Sequence, residues 1–260
     1  MVKLGFKPLD SIKQPSFNSA NSSEFLDLCG KIIDDSILEG ELHTPSRTFA
    51  PSQIRCKRVS WFRLRGVVPE QEAVVDRATN FTAVIGTACH QHIQELLSNY
   101  LNADWIDVAD YLAQKNFTYE YKCTKSGFET SVEIFKPVPI KFAPDGIVFW
   151  KGKYWLLEIK TSEYSSFEKL SGPKPQHVDQ IKCYATLLGI NNVLVIYQDR
   201  MYGGMKCYEV TVTSDDMREI WDMFKEVQEC AALNIAPEKP ETTKYCNPSY
   251  CRYYNKCKEW

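Results

Sequence analysis

An aspartate at 145, a glutamate at 158 and a lysine at 160 interrupt the stretch FAPDGIVFWKGKYWLLEIKTS, residues 142–162, which otherwise looks built for burial. On a strand, Glu158 and Lys160 share one face, while Leu157 and Ile159 point to the other. Pro144 and Gly146 flank Asp145 and predict a bend or bulge that re-aims its carboxylate out of regular alternation. Two carboxylates with an ammonium beside them suit a hard divalent cation, Mg²⁺ or Mn²⁺, with the lysine able to hold an attacking water. The corresponding reaction is hydrolysis of a phosphodiester. A surface hairpin whose Glu and Lys simply face water would show the same three residues, so the pattern gains weight only from its flanks.

Three flanks add weight. Upstream, GTACHQH puts His90 at the start of a helix expected over Thr87 to Tyr100, where an imidazole can complete a carboxylate-rich metal site. Downstream, QIKCY sets Gln180 and Tyr184 at i and i+4 on one helical face, suited to reaching a phosphate or orienting Lys160. Finally, KYCNPSYCRYYNKCKEW holds Cys246, Cys251 and Cys257, three thiols within twelve residues of a polar segment. Buried core cysteines do not cluster in this way. A Zn²⁺ ion or a 4Fe-4S cluster needs a fourth ligand, for which Cys56 is the best candidate. Cys29, Cys89, Cys123, Cys183, Cys207 and Cys230 read as core or incidental thiols.

As a set, G-T-x-x-H at 86–90, P-D-G at 144–146, E-I-K at 158–160 and Q-x-x-x-Y at 180–184 resemble the RecB-like nucleases of the PD-(D/E)xK superfamily, in order and rough spacing. The resemblance covers about residues 50–260. It implies an α/β fold, the restriction-endonuclease-like core with a mixed central sheet flanked by helices. It further implies that His90, Asp145, Glu158 and the backbone carbonyl of Ile159 hold Mg²⁺ or Mn²⁺, that Lys160 positions or activates the water, and that Gln180 and Tyr184 support the site and the DNA backbone. One cysteine before the nuclease core and three after it is similar to the iron-sulfur subgroup, which includes AddB-type helicase-nucleases and CRISPR-associated nucleases. SQIRCKR resembles that group's first-cysteine motif. The C-x4-C-x5-C spacing departs from the usual C-x2-C opening, which leaves a 4Fe-4S cluster and Zn²⁺ both open. Size and motif order look most like stand-alone phage-encoded or CRISPR-associated members. The activity implied is a metal-dependent exonuclease acting on DNA ends, single-stranded or resected, in recombination, repair or replication, alongside proteins of those processes. An endonuclease of the same superfamily and a non-catalytic DNA-binding scaffold are the alternatives. No G-x-x-x-x-G-K-[ST] phosphate loop marks an attached helicase.

Several elements must position these residues. Strands are expected in TYEYKC, TSVEIF, PIKFAPDGIVFW and YWLLEIK, with KGK at 151–153 as the tight turn of a hairpin. PQHVDQIKCYATLLG is a helix ended by Gly189, followed by the strands VLVIYQD and MKCYEVTV and a helix from Ser214 as cap. A helix is expected in WIDVADYLAQK, and another in SQIRCKRVSWFRLRG with a cationic face. Lys57, Arg58, Arg63 and Arg65 on that face, with Arg252, Lys256 and Lys258, are candidates for a DNA-facing rim. Residues 1–50 form an accessory region with one helix after Ser22 or Ser23, and 51–260 the nuclease domain.

Bulk composition sets limits. With 260 residues and 44% of them hydrophobic, the chain can bury a large core. A formal charge of −2 gives no general basic footprint, so DNA contact requires a local cationic groove. No run reaches the ~20 apolar residues of a membrane span, and the first residues lack the apolar core of a secretory signal. The expected location is the cytoplasm, that of the host for a phage-encoded protein, where ten cysteines do not form a disulfide framework. Oligomeric state is left open.

Overall fold

The computed structural model describes residues 19–40, 47–70, 77–101, 104–115, 117–239, 246–248 and 250–260. It divides into two compact units, Met1–His43 and Thr44–Trp260. In the first, helix α1 (Ser19–Gly40) begins ahead of the expected serine caps and leaves Phe25, Leu26, Leu28 and Ile32 exposed. Phe49, assigned from sequence to the accessory region, belongs to the second unit's core. It bridges to Ile140 and packs against Phe224 with ring centroids 4.9 Å apart.

In the second unit the stretch around Cys56 is not one helix. A 3-10 turn (Pro51–Gln53) precedes α2 (Lys57–Leu64), with Cys56 as the N-cap. Then α3 runs from Arg77 to Leu101, ten residues longer at its start than the Gly86-Thr87 signal suggested, and Thr87 lies in its interior. The expected helix at 105–115 is split: Trp105–Ile106 form the short strand β1, and α4 (Val108–Gln114) starts after Asp107, whose carboxylate caps the Ala109 N–H. Strands β2 (Glu120–Ser126), β3 (Glu129–Lys136) and β4 (Ile140–Phe142) make an antiparallel three-stranded sheet.

The second sheet carries the chemistry. It comprises β1, β5 (Gly146–Trp150), β6 (Lys153–Ser162), β7 (Asn192–Asp199) and β8 (Met205–Thr211), in the order β1-β5-β6-β7-β8. The β5–β6 hairpin turns through Lys151 and Gly152, both with positive φ, as a tight two-residue turn requires. From β6 the chain crosses through α5 (Tyr164–Glu168) and α6 (Pro175–Leu188) to β7, which pairs with β6 in parallel. Gly189 ends α6 in the left-handed conformation. Helix α7 (Ser214–Ala232) is capped one residue earlier than expected: Thr213 and Asp216 form a reciprocal capping box. The sheet is therefore mixed and helix-flanked, an α/β fold.

Central position explains the composition of β6. Trp155 to Ile159 are buried without a break, as befits a strand covered on both faces. Leu157 and Trp155 pack with Leu97 and Leu101 of α3, while Leu156 joins the main core with Ile181, Leu187 and Leu188 of α6. Among the described residues no helix is long and apolar enough to cross a membrane.

The short helix α8 (Tyr254–Lys258) returns the chain to α2. Tyr253 stacks on Phe62 at 4.9 Å, and Trp260 meets Trp61 edge-on. Arg58, expected on a DNA-facing rim, is buried instead: Nε donates to the Pro237 carbonyl at 2.9 Å, Nη1 to that of Cys257 at 3.0 Å and Nη2 to that of Trp260 at 3.4 Å. A planar fork of donors suits three converging carbonyls, so the residue joins chain segments rather than meeting solvent. Arg58→Ala is expected to destabilise the protein by about 2 to 3 kcal/mol, because it leaves the buried Pro237 carbonyl unpaired and removes two further part-buried bonds. An unchanged urea midpoint would contradict this role.

Candidate active site

The site arises from a mismatch in strand length. The antiparallel ladder of β5 on β6 ends at Gly146 opposite Leu157, whereas β7 follows β6 through to Ser162. Continued further, the same register would set Asp145 against Glu158 and then Pro144 against Ile159, whose carbonyl a proline has no N–H to serve. Asp145 serves the other backbone group of Ile159 with its side chain: its Oδ2 accepts the Ile159 N–H at 2.5 Å. A close approach of Trp105 fixes the following residue as glycine, since a Cβ on Gly146 would lie 2.5 Å from the indole ring. Beyond β5 one edge of β6 thus has no strand partner, and Glu158 and Lys160 stand on that stretch.

Most of the expected residues gather around this notch. Lys160 Nζ forms a direct ion pair with Glu158 Oε1. His90, from the middle of α3 rather than its start, puts Nδ1 3.4 Å from Asp145 Oδ1. Gln180 Nε2 donates to Tyr184 Oη at 2.9 Å on α6, and the charges of Glu158 and Asp145 both act on that phenol. The second oxygen of Glu158, Oε2, is buried with no hydrogen-bond partner. Among the described residues no three His, Cys, Asp or Glu side chains are drawn into a finished coordination set. Each carboxylate instead has its own counter-group: Asp145 the Ile159 N–H and the edge of His90, Glu158 the Lys160 ammonium.

Electrostatics follow from depth. Glu158 is 1% exposed, and burial, followed by the Asp145 charge, pushes its carboxyl up to about 7 against the pull of Lys160. Burial alone would lower the Lys160 ammonium, but the Glu158 and Asp145 carboxylates outweigh it and raise it. Burial and the same two acids push the Tyr184 hydroxyl far up, so it is a neutral donor. A buried carboxylate repelled by a second acid, with one bare oxygen, has the chemistry of a hard-cation ligand.

Sequence reasoning missed Gln94. Only 2% exposed, it donates Nε2 to the Asp145 carbonyl at 2.7 Å and so clamps the bend from the α3 side. The available signal was a glutamine four residues after His90, between the core-facing Ile93 and Leu97. His177 and Tyr197 were also missed, although His177 lies three residues before Gln180 on the same helix.

The four cysteines converge as well. Cys56, Cys246, Cys251 and Cys257 line one cavity of about 90 Å³ between α2 and α8. Backbone N–H groups of Arg58 and Val59 reach the Cys56 sulfur, and that of Tyr253 reaches Cys251. Burial, with the neighbouring thiols adding to it, raises both of these groups. Four cysteines around one cavity, two of them receiving N–H donors, have the chemistry of thiolate ligands, although among the described residues they are not drawn together into a metal-holding group. Of the remaining proposed rim residues, Lys57 pairs with Glu226 at 2.5 Å, Arg63 donates to the Thr48 carbonyl at 3.3 Å, and Arg65 lies 4.6 Å over the Trp61 ring.

The chain matches no protein-family model and no curated protein. Solved structures with a similar chain path include SSO0001, at 16% identity and a TM-score of 0.49 over 88% of this chain and 96% of that one. They also include the alkaline exonuclease LHK-Exo from Laribacter hongkongensis, at 14% identity and a TM-score of 0.44 over 75% of this chain and 93% of that one. Its complex with dAMP gives 15% identity and a TM-score of 0.44, over 72% and 89%. The likeness is distant. At these TM-scores it carries no argument about the site, which stands on its own geometry.

The raised Glu158 carboxyl has a measurable consequence. Between about pH 4.5, where a free glutamate ionises, and about pH 7, the native state holds a proton that the unfolded chain has lost. Stability of the chelator-treated protein from this group therefore falls as pH rises through that window, by on the order of 2 to 3 kcal/mol. Glu158→Gln should remove that fall, and a wild-type-minus-variant difference that is flat with pH would disprove it.

Proposed function

We propose that the protein is a divalent-metal-dependent deoxyribonuclease that hydrolyses phosphodiester bonds at DNA ends. The observation that carries this reading is the convergence of Asp145, Glu158, Lys160 and His90 at the unpaired edge of β6, with one Glu158 oxygen buried and unpartnered. In this reading His90, Asp145, Glu158 and the backbone carbonyl of Ile159 would hold Mg²⁺ or Mn²⁺. When bound, the cation supplies Lewis acidity, neutralises the phosphate and makes an attacking water more acidic. Lys160, held by Glu158, orients the water and stabilises charge that develops on the phosphate oxygens. Tyr184, kept neutral and oriented by Gln180, adds a hydrogen-bond donor on the same side. Asp145 and Glu158 would bind the cation as carboxylates, so cleavage should increase with pH as Glu158 loses its proton.

The four cysteines would hold a 4Fe-4S cluster or Zn²⁺. Their part is structural: they join Cys56, ahead of α2, to a C-terminal segment already tied down by Arg58 and by Glu70, which accepts the Asn255 and Lys256 N–H groups. End-directed cleavage is favoured over endonucleolytic cutting by the motif set rather than by any observed channel, and a circular substrate separates the two.

End-labelled linear and circular DNA incubated with Mg²⁺, Mn²⁺ or EDTA should show degradation of linear DNA only, and none with EDTA. Asp145→Asn and Lys160→Ala should each lower the rate by about 10³-fold or more, the several kcal/mol expected of the cation or its water-orienting group. Parent-rate cleavage by either variant would refute the assignment. A second measurement concerns the thiols: anaerobically purified protein should contain stoichiometric iron with visible absorption, or stoichiometric zinc without colour. Cys251→Ser should lose the metal and lower the melting temperature, and a metal-free wild-type protein of unchanged stability would refute the site.

A further inference from the structure

Beside Lys160 lies a hydrogen-bond chain that the site as described leaves unused. Tyr197 is the cross-strand partner of Lys160 in the β6–β7 ladder, and it is fully buried. Its Oη accepts the Lys174 backbone N–H at 3.0 Å and lies 2.6 Å from His177 Nδ1. A buried hydroxyl must also place its own proton on an acceptor. Of these two neighbours the Lys174 N–H can only donate, so the acceptor is His177 Nδ1. Nδ1 is then unprotonated, and the proton of the neutral imidazole sits on Nε2, across the ring from Tyr197. A backbone amide thereby selects the tautomer of the histidine.

Geometry and charge agree on a neutral ring. The His177 and Tyr197 rings stack at 5.6 Å with an interplanar angle of 29°. Burial, then the charges of Lys160 and Lys174, hold the His177 imidazolium down at about 4. The ring is only partly buried, lies within the field of Lys160, and precedes Gln180 by three residues on α6. A second cation packed here would be repelled by Lys160 and Lys174, whereas a neutral N–H adds direction without charge.

We propose that His177 Nε2–H is a phosphate-binding donor, contacting a non-bridging oxygen of the bound DNA strand on the Lys160 side of the site, and that Tyr197 is the positioning residue that fixes its tautomer. This assignment rests on the nuclease reading above. It adds a neutral, directional contact to the point charge of Lys160, so that strand orientation is read as well as strand charge.

The test uses the full chain. In chelator-treated protein, ¹⁵N NMR of His177 at neutral pH should show a protonated Nε2 and a bare Nδ1, with the preference lost in Tyr197→Phe; a protonated Nδ1 in the wild type would overturn the proposal without any variant. Binding of a fluorescein-labelled single-stranded oligothymidylate, measured by anisotropy in EDTA, should weaken about 10- to 100-fold in His177→Ala, the range for one hydrogen bond to a charged group. The value of kcat/KM with Mg²⁺ should fall by a similar factor. His177→Gln, which can present an amide N–H at the same reach, should recover most of both. Wild-type binding and cleavage by His177→Ala would overturn the proposal and leave the nuclease reading intact. A loss in His177→Ala that His177→Gln does not restore would likewise overturn it. If the wild type bound the oligonucleotide but never cleaved DNA, the nuclease reading would fail while His177 was still judged on binding.

Discussion

Burial of one carboxylate organises this molecule. Glu158 occupies the middle strand of a sheet covered on both faces, 1% exposed, where an isolated charge is not sustained. Every neighbouring feature answers that constraint. Lys160 supplies an opposite charge two residues along the same strand, Tyr184 and Tyr197 present hydroxyls rather than further acids, and Asp145 is held at the far side by the Ile159 N–H and Gln94. A surface hairpin would need none of this. The arrangement leaves a buried carboxyl with its proton affinity raised toward neutrality and one oxygen without a partner, beside the notch where β5 stops. A protein selected for stability alone would gain by placing a leucine there.

The notch is a property of register rather than of loops. Pro144 removes the N–H that would continue the β5 ladder, Asp145 substitutes its carboxylate for the missing strand, and Gly146 admits the indole of Trp105. Three consecutive residues thus end β5, accept the Ile159 N–H of β6 and allow the edge strand β1 to pack closely. The P-D-G triplet is legible as backbone mechanics before it is legible as chemistry. Because β7 continues in parallel past this point, the exposed edge of β6 is rigid on its other side. Side chains on such an edge keep their spacing through the sheet alone.

Much of this was legible in the amino-acid sequence, and the failures share a physical cause. Alternation and turn residues located β5, β6, β7, β8, α6 and α7, because these signals are local. The start of α3 was misplaced, since Gly86 reads as a break ahead of the Thr87 cap signal and a partly exposed helix shows little periodicity. Arg58 was misread because a sequence shows that an arginine is cationic but not whether three carbonyls from residues 237, 257 and 260 converge on it. Gln94 and His177 were missed for a related reason. Each acts through one hydrogen bond to a group distant in sequence, and neither residue type is unusual on a helix. The convergence of Cys56 with Cys246, Cys251 and Cys257 was anticipated from composition and resemblance, and its physical basis is the Phe62–Tyr253 stack and the Arg58 fork.

The two candidate centres differ in what they require of the chain. At the notch, oxygen donors are held apart by the sheet, one carboxyl retains a proton near neutrality, and binding of a hard cation competes with that proton. At the cysteine cavity, burial raises the thiols, while N–H groups from the first turn of α2 favour the thiolate once a metal is present. The first arrangement suits a weakly held, exchangeable ion whose loading follows pH. The second draws its sulfurs from both ends of the unit, so under the proposed reading an ion there would be held permanently. Between them runs the Arg58-anchored packing of α2 on the C-terminal segment, with the 3-10 turn at Pro51–Gln53 resting on α6. Helix α6 carries His177, Gln180 and Tyr184, so the packing around the cysteine cavity and the position of these three side chains are linked through the same helix.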